Sequence, residues 1–328
     1  MASQVKLFES PDFYDAILAA TAHFTGTGLT AQLIEKDYFV TEALRVIAIH
    51  WPNQIIFKGG TSLSKGWKLI NRFSEDLDLF LNQNAFEPPL GASRTDKMLK
   101  SIEESVGTHP VLRYLSKAEK SRSRYERGLS RTSDFEYPMQ FSGSGAIQNR
   151  VLLEMGIRSG DFPIESVELT SFLADFLQST GESLGTEDEA PFSMPLLHFR
   201  RTFVEKLFSL HAKIIQYQLD GTSFSNYTRH YYDLMCLAQR PEVRTMLESE
   251  EYIDIKRDCD RISQKYFKAQ YYRPPDLKFS ESIAFFPTGE LRQAIAKAYK
   301  QQCDNLCLSP YPSWEAVEQC FEDLREWL

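Results

Sequence analysis

The chain has 328 residues, of which 42% are apolar and 25% are charged. This composition is typical of a folded globular protein and excludes a disordered chain, and the length suits roughly two domains. The formal net charge of −8 excludes a general attraction to nucleic acid, so contact with RNA or DNA requires a local basic surface.

The sequence also indicates the cellular compartment in which the protein is expected. Its longest apolar runs are far shorter than the ~20 residues that span a bilayer, and residues 1–10 lack the apolar core of a signal peptide. The five cysteines, an odd number in a long chain, favour free thiols over disulfides. We therefore expect a cytoplasmic protein that makes no contact with a membrane.

The N-terminal part of the chain mixes helical and strand patterns. Apolar residues at helical spacing predict helices, and short β-branched, aromatic or alternating runs predict strands. The expected elements are helices over residues 10–24 and 30–49, a strand over 54–57, a short helix over 62–70, a strand over 76–81, a helix over 95–106, and strands over 135–142, 149–157 and 164–170.

The pattern changes near residue 180. Residues 180–195 are acidic and interrupted by glycine and proline, which is typical of a linker. The rest of the chain is helical in pattern, and we expect helices over residues 198–219, 225–239, 241–270, 289–307 and 313–327. The order predicts an α+β fold, with a mixed β-sheet flanked by helices in residues 1–180 and a helical domain in residues 181–328.

Two aspartates in the predicted strand over 76–81 are candidates for metal chemistry. Because side chains alternate along a strand, Asp76 and Asp78 share one face and are separated by about 7 Å. Two carboxylates at this spacing suit hard divalent cations such as Mg²⁺ or Mn²⁺, which also bind substrate phosphates. The alternative is a half-buried edge strand with solvated aspartates, although aspartate is disfavoured in strands.

A third acidic residue belongs with this pair. Glu154 lies in an apolar predicted strand, where an unpaired carboxylate is costly. A metal ion would remove that cost, so Glu154 is the expected third metal ligand. An ion pair with Arg150 or Arg158 is the alternative.

The residues upstream of the aspartates favour phosphate binding. Gly59 and Gly60 allow the backbone to approach a polyphosphate without a Cβ in the way. Thr61 and Ser62 then begin a helix whose N-terminal amides and hydroxyls suit a bound phosphate. In combination with the two aspartates, this order predicts metal-assisted phosphoryl transfer on a nucleotide.

One local surface has the charge that nucleic acid requires. Residues 113–131 carry seven basic and two acidic side chains, together with two tyrosines. Arginine and aromatic side chains suit a phosphate backbone and stacked bases, so we expect RNA contacts from Arg122, Arg124 and Arg127. The alternative is a solvated loop.

The segment "FKGGTSLSKGW…NRFSEDLDLF" resembles the nucleotidyltransferase toxins of the AbiEii/AbiGii (MenT-like) family, within the DNA polymerase β-like nucleotidyltransferase superfamily. Arg72 and Ser74 match the family's variant of the superfamily motif. The resemblance continues over residues 33–47, 199–211, 229–237 and 298–328. It places Lys206 at the family's functional lysine and Asp233 at its functional aspartate; an ordinary salt bridge is the alternative role for both.

The resemblance implies a nucleotidyltransferase-type sheet and a divalent-metal-dependent enzyme. Such an enzyme transfers a nucleoside monophosphate from a nucleoside triphosphate to an acceptor. The resemblance implies that the acceptor is the 3′ end of transfer RNA. It also implies a toxin of a toxin–antitoxin or phage-defence system, with a cognate antitoxin as partner. The expected catalytic residues are Asp76, Asp78, Lys206 and Asp233, and the expected nucleotide-binding residues are Gly59, Gly60, Thr61, Ser62 and Lys206.

Two other functions remain open at this point. The acceptor can be a protein side chain instead of RNA, or the chain can be a nucleotide- or RNA-binding regulator without catalysis. The presence of both Asp76 and Asp78 argues against a degenerate site. Incubation with labelled nucleotides, Mg²⁺ and cellular RNA distinguishes these two functions from nucleotidyl transfer to RNA.

Overall fold

The structure is a computed structural model that describes residues 5–74, 76–116, 123–142 and 147–328. The chain divides into two compact units. The first, called here the sheet unit, comprises Met1–Gly66, Glu75–Ile157 and Ile164–Leu196. The second, the helical unit, comprises Trp67–Ser74, Arg158–Pro163 and Leu197–Leu328.

The sheet unit is built on a mixed β-sheet to which the described residues contribute eight strands. Their order is β3-β5-β6-β2-β1-β8-β7, and β4 pairs with β5. Strand β2 is antiparallel to β1 and parallel to β6, whereas β1 is parallel to β8. The strands are β1 (Ile55–Lys58), β2 (Asp76–Leu81), β3 (Arg113–Tyr114), β4 (Arg124–Glu126), β5 (Ser130–Glu136), β6 (Arg150–Gly156), β7 (Ile164–Leu169) and β8 (Phe192–Leu197).

Strand β2 lies in the interior of the sheet, between β1 and β6. Its alternating sequence divides the residues between two faces. Leu77, Leu79 and Leu81 are at most 2% exposed and pack in the core, while Asp76 and Asp78 lie on the other face and are partly exposed. The predicted strand over 76–81 is confirmed, but the alternative of an edge strand is wrong.

Within the described ranges, five α-helices accompany the sheet: α1 (Phe13–His23), α2 (Ala31–His50), α3 (Gly59–Thr61), α4 (Ala92–Val106) and α5 (Phe172–Thr180). Helix α2 begins at an N-cap, Thr30, whose side chain accepts a hydrogen bond from Leu33 N. It is buried at 15 of its 20 residues, including charged ones. The charges bind other segments: the Glu35 carboxylate, for example, accepts hydrogen bonds from the amides of Gln140 and Phe141.

The helical unit contains six helices within the residues that the structure describes: α6 (Phe199–Asp220), α7 (Arg229–Ala238), α8 (Pro241–Leu247), α9 (Glu250–Tyr266), α10 (Gly289–Leu306) and α11 (Trp314–Leu324). Aromatic side chains fill its core. The ring of Tyr231 packs edge-on against Trp314 at 5.0 Å, and its buried hydroxyl donates to Ala284 O at 2.6 Å. The α+β fold class predicted from the sequence, with a mixed sheet flanked by helices, is therefore confirmed.

The linker predicted over 180–195 is wrong. Its last four residues belong to β8, which pairs with β1, and α5 precedes it without having been predicted. Pro195 within the strand and the acidic segment before it conceal the strand in the sequence. The buried side chains of Met194 and Leu196, at 1% and 0% exposure, show why the segment joins the sheet.

Three other boundaries also differ from the prediction. The strand expected over 135–142 is displaced to β5, whose Ser133 and Asp134 are buried despite their polarity. The single helix expected over 241–270 is divided into α8 and α9, because Ser249 begins a new helix. The basic stretch 113–131, for which no strand was predicted, contributes β3, β4 and the first residues of β5.

No helix in the described ranges is both long enough and apolar enough to cross a membrane.

Candidate active site

The Gly-Gly sequence forms a tight turn directly after β1. Helix α3 occupies Gly59–Thr61 and continues as a wider turn through Ser62–Gly66, so the helix expected over 62–70 begins and ends earlier. Gly59 has φ +76°, in the left-handed region, and a Cβ there would lie 1.9 Å from Asp78 Oδ2. The absence of a side chain at Gly59 therefore allows the Asp78 carboxylate to rest against the backbone of the turn.

The hydroxyls of this turn are engaged within it. Thr61 Oγ1 donates to Asp76 O at 2.6 Å, which ties the turn to the first residue of β2. Ser62 Oγ donates to Gly59 O at 3.0 Å, and both side chains are buried. These two residues thus fix the position of the turn relative to the aspartates.

The end of the turn is held by a buried ion pair. Lys65 Nζ lies 2.7 Å from Asp37 Oδ1 on α2 and donates to Thr170 O at 2.8 Å. The second oxygen of Asp37 accepts a hydrogen bond from Phe172 N. Lys65 therefore connects the turn to α2 and to the start of α5.

The strand register places a row of side chains across one face of the sheet. Asp78 on β2 is opposite Lys58 on one side and Glu154 on the other. Glu154 is opposite Thr132, which is in turn opposite Arg124 on β4. Directly opposed residues point to the same face, and strands are about 4.8 Å apart, so Arg124 lies about 14 Å from Asp78 along this row.

The three predicted metal ligands share this face without forming a closed cluster. Within the part of the chain that the structure describes, no group of three or more histidine, cysteine, aspartate or glutamate side chains is arranged to hold a metal ion. Asp76 and Asp78 nevertheless present hard carboxylate oxygens on one strand face. This donor set fits a Mg²⁺-like cation, which takes few protein ligands and completes its shell with phosphates and water. Whether Glu154 is a ligand stays a prediction.

The predicted RNA-binding arginines lie partly on β4 and its hairpin. Arg124 and Arg127 are exposed, and Arg127 lies in the turn between β4 and β5. Arg122 lies outside the described residues. The neighbouring Arg131 is engaged otherwise, with Glu103 at 3.2 Å and the ring of Tyr125 at 5.3 Å.

The helical unit brings together the other predicted residues, Lys206 and Asp233. Lys206 Nζ on α6 lies 2.8 Å from Asp233 Oδ2 on α7, and Asp233 is fully buried. The same carboxylate accepts two hydrogen bonds from Arg72, from Nε at 2.6 Å and from Nη2 at 2.7 Å. Asp233 therefore joins two cations from distant parts of the sequence.

Backbone pairing within the helical unit positions Arg72. The Arg72 segment runs antiparallel to the end of α10, with an isolated bridge to Cys307. Phe73 N donates to Leu306 O at 2.8 Å, and Leu308 N donates to Asn71 O at 3.1 Å. The side chain of Arg72 is thereby fixed on the Asp233 carboxylate.

Burial and charge together determine the protonation of this cluster. Burial alone would raise the pKa of Asp233, but Arg72 and Lys206 outweigh it and hold the pKa well below its usual range. Burial lowers the pKa of Lys206; Asp233 opposes this effect, while Arg72 and Arg229 add to it. Burial and the charge of Lys206 lower the pKa of His230 to about 3.

Neutral His230 also contributes to holding the lysine. Its Nδ1 lies 3.0 Å from Lys206 Nζ and accepts a hydrogen bond from the ammonium. The pairing of Asp233 with Arg72 could not be read from their spacing, since they are 161 residues apart in the sequence. Only the shared family motif pointed to Arg72, and no pattern singled out His230.

Comparison with known proteins identifies the family of the chain. The family model described as nucleotidyl transferase AbiEii toxin, type IV toxin–antitoxin system, matches residues 43–322. Among solved structures, MenT4, a nucleotidyltransferase toxin from Mycobacterium tuberculosis H37Rv, is 15% identical with a TM-score of 0.47, and the match covers 95% of each chain. A comparison with curated proteins found no match. Because the family match spans most of the sequence, the chain belongs to the AbiEii family of nucleotidyltransferase toxins of type IV toxin–antitoxin systems.

Proposed function

We propose that this protein transfers a nucleoside monophosphate from a nucleoside triphosphate to RNA, with the 3′ end of transfer RNA as the acceptor. The observation that carries the proposal is the contact between the Gly59 turn and the Asp78 carboxylate, next to Asp76 on the same strand face. A phosphate-binding turn and two same-face carboxylates are the two halves of metal-assisted nucleotidyl transfer.

Asp76 and Asp78 are the proposed holders of a divalent cation, Mg²⁺ or Mn²⁺, with Glu154 as a third carboxylate. When bound, this cation supplies Lewis-acid stabilisation of charge on the triphosphate. The two carboxylates keep their positions because Thr61 and Gly59 fix the turn against β2. The backbone of Gly59 and Gly60 is the proposed contact of the turn with the nucleotide, since the Thr61 and Ser62 hydroxyls are engaged within the turn.

Lys206 is the proposed cation for the phosphates that leave as pyrophosphate. A fixed positive charge stabilises the negative charge that develops on the leaving group. Asp233 and His230 hold the ammonium through two hydrogen bonds, so it is preorganised for this role. Asp233 and Arg72 are accordingly positioning residues in this proposal.

The proposed acceptor surface is the exposed β4 hairpin. Arg124 occupies the same sheet face and the same cross-strand row as Asp78, and Arg127 is exposed in the adjacent turn. Cationic side chains about 14 Å from the carboxylates suit the phosphate backbone of a polynucleotide whose end reaches the reacting atoms. Membership of a family of type IV toxin–antitoxin systems supports a cognate antitoxin as the partner, and the role proposed for the pair is defence against phage.

Label transfer tests the proposal. The protein is incubated with labelled nucleoside triphosphates, Mg²⁺ and total RNA, and a matched sample contains RNA whose 3′-terminal diol has been oxidised by periodate. We expect label in the small RNA, none after oxidation, and none with a chelator. Label in protein would support nucleotidylation of a side chain instead, and binding without label would support a non-catalytic regulator.

A further inference from the structure

Arg229 is a cation of the helical unit whose side chain has no partner among the described residues. It is the first residue of α7 and is partly buried. Its Nε is inaccessible to solvent and has no hydrogen-bond acceptor, and its side chain forms no ion pair with any described residue. A buried donor without an acceptor costs free energy, so a partner is expected when the protein functions.

The neighbouring cluster has no carboxylate oxygen to spare for this cation. Asp233 Oδ1 accepts from Arg72 Nε, and Oδ2 accepts from Arg72 Nη2 and lies 2.8 Å from Lys206 Nζ. Among the residues with assigned positions, the cluster formally contains three cations, Arg72, Lys206 and Arg229, and one carboxylate. His230 does not restore the balance, because it is neutral and accepts a hydrogen bond from Lys206.

Arg229 directly precedes His230, whose Nδ1 lies 3.0 Å from Lys206 Nζ, and it lies one helical turn before Asp233 on α7. Its charge also contributes to lowering the pKa of Lys206 and of His230. A guanidinium offers a planar fork of donors that matches two phosphoryl oxygens, whereas an ammonium is a point charge. The two side chains are therefore complementary ligands for one anion.

We propose that Arg229 binds phosphoryl oxygens beside Lys206 and so completes an anion site in the helical unit. This inference rests on the proposed function for the identity of the anion. The phosphoryl group can belong to the triphosphate of the nucleotide or to the backbone of the acceptor RNA. Both sources present the same chemistry to the guanidinium, and the experiment below distinguishes them.

The test measures binding without requiring transfer. Affinities for inorganic tripolyphosphate, a nucleoside triphosphate and tRNA are determined by calorimetry for the wild type, Arg229→Gln and Arg229→Lys. The matched control is Arg240→Gln, which removes an exposed arginine after the other end of α7. Loss of one charge-assisted contact predicts about a 10- to 100-fold weaker affinity for Arg229→Gln, partial recovery for Arg229→Lys, and wild-type affinity for the control.

Each outcome decides the inference. Weaker binding of tripolyphosphate and nucleotide, with tRNA binding unchanged, assigns Arg229 to the triphosphate; the reverse assigns it to the acceptor. Unchanged affinities for all ligands in Arg229→Gln overturn the inference and leave the proposed function intact. If Arg229→Gln binds the ligands more weakly than the wild type, but the wild type transfers no label, the anion site is upheld and the proposed function is contradicted. Absence of binding by the wild type overturns both.

Folding does not obscure the result. Because Arg229 has no partner among the described residues, its replacement by glutamine removes no ion pair. We expect the thermal midpoint of Arg229→Gln to equal or exceed that of the wild type. Tripolyphosphate should raise the midpoint of the wild type more than that of the variant, since a ligand stabilises only the state that it binds.

Discussion

At the scale of single residues, each unit contains one described residue on which its predicted functional side chains depend. In the helical unit, Asp233 is the carboxylate on which Arg72 and Lys206 both depend. In the sheet unit, Gly59 leaves the space that the Asp78 carboxylate occupies. Asp233 is difficult to replace because of its charge, and Gly59 because of the space it leaves.

Asp233→Ala tests whether Arg72 and Lys206 depend on the Asp233 carboxylate. Two buried cations would lose their shared carboxylate, so we expect the free energy of unfolding to fall by about 3–5 kcal/mol. Lys206→Ala should cost less, because Arg72 remains paired with Asp233. Urea denaturation measures both, with Asp254→Ala as a control at an exposed aspartate of α9. A variant at Asp233 as stable as the control would mean that the cluster is not held by charge.

Gly59→Ala tests whether the Asp78 carboxylate needs the space that Gly59 leaves. The new methyl group would collide with the Asp78 carboxylate and would also occupy the left-handed region, which costs roughly 1–2 kcal/mol. Gly26→Ala is a matched control, since Gly26 has φ +86° but open space around it. Both variants should lose stability through the left-handed backbone, Gly59→Ala more than Gly26→Ala because of the added collision, and only Gly59→Ala should lose transfer activity. Equal activity in the two variants would contradict the role of the contact with Asp78.

At the scale of elements, helix α2 supports the turn formed by residues 59–66. Its Asp37 holds Lys65 at the end of the turn and also accepts from Phe172 N at the start of α5. The side chains of Lys65 and Asp37 are only 5% and 11% exposed, so the pair is shielded from solvent. The position of the turn thus depends on a helix that carries none of the proposed catalytic residues.

Asp37→Ala is expected to destabilise the protein by about 3–5 kcal/mol, because it leaves the Lys65 ammonium buried and uncompensated. Asp37→Ala/Lys65→Met removes both charges and should recover part of that loss. A double-mutant cycle by urea denaturation measures the coupling. Additive effects of the two substitutions would show that the pair does not hold the turn.

The elements that were predicted correctly from the sequence are those in which the spacing of apolar residues matches the buried face. The alternation of β2 predicted both the strand and the shared face of Asp76 and Asp78. The buried strand β8 was concealed by Pro195 and β5 by its polar residues, because tertiary pairing overrides local preference. The contact of Arg72 with Asp233 joins positions far apart in the chain, and spacing alone carries no information about such a contact.

At the scale of the whole molecule, buried histidines contribute to the response to acid between pH 6.5 and 4. Burial lowers the pKa of His198 and His211 to about 4 and, together with Lys206, lowers that of His230 to about 3. Each is neutral when folded, while the unfolded chain binds protons near its ordinary pKa of 6.5. Their contribution to stability is therefore complete above pH 6.5 and is lost as the pH falls from there towards 4.

His211→Gln isolates one of these groups. His211 Nδ1 lies 2.7 Å from Ser282 Oγ, and a glutamine can keep a hydrogen bond there. We expect the stability of the wild type relative to the variant to fall by about 1.4 kcal/mol per pH unit between pH 6.5 and 4. Urea denaturation over this range measures the difference. A pH-independent difference would show that His211 is not held neutral by burial.

The most direct test of the central claim is nucleotidyl transfer by Asp76→Asn and Asp78→Asn. These substitutions preserve shape but remove the carboxylate charges that are proposed to hold the divalent cation. With RNA, labelled nucleotide and Mg²⁺, we predict that both variants stay folded by circular dichroism and transfer at least about 100-fold less label than the wild type, while Asp254→Asn retains full activity. Wild-type transfer by folded Asp76→Asn or Asp78→Asn protein would contradict the account.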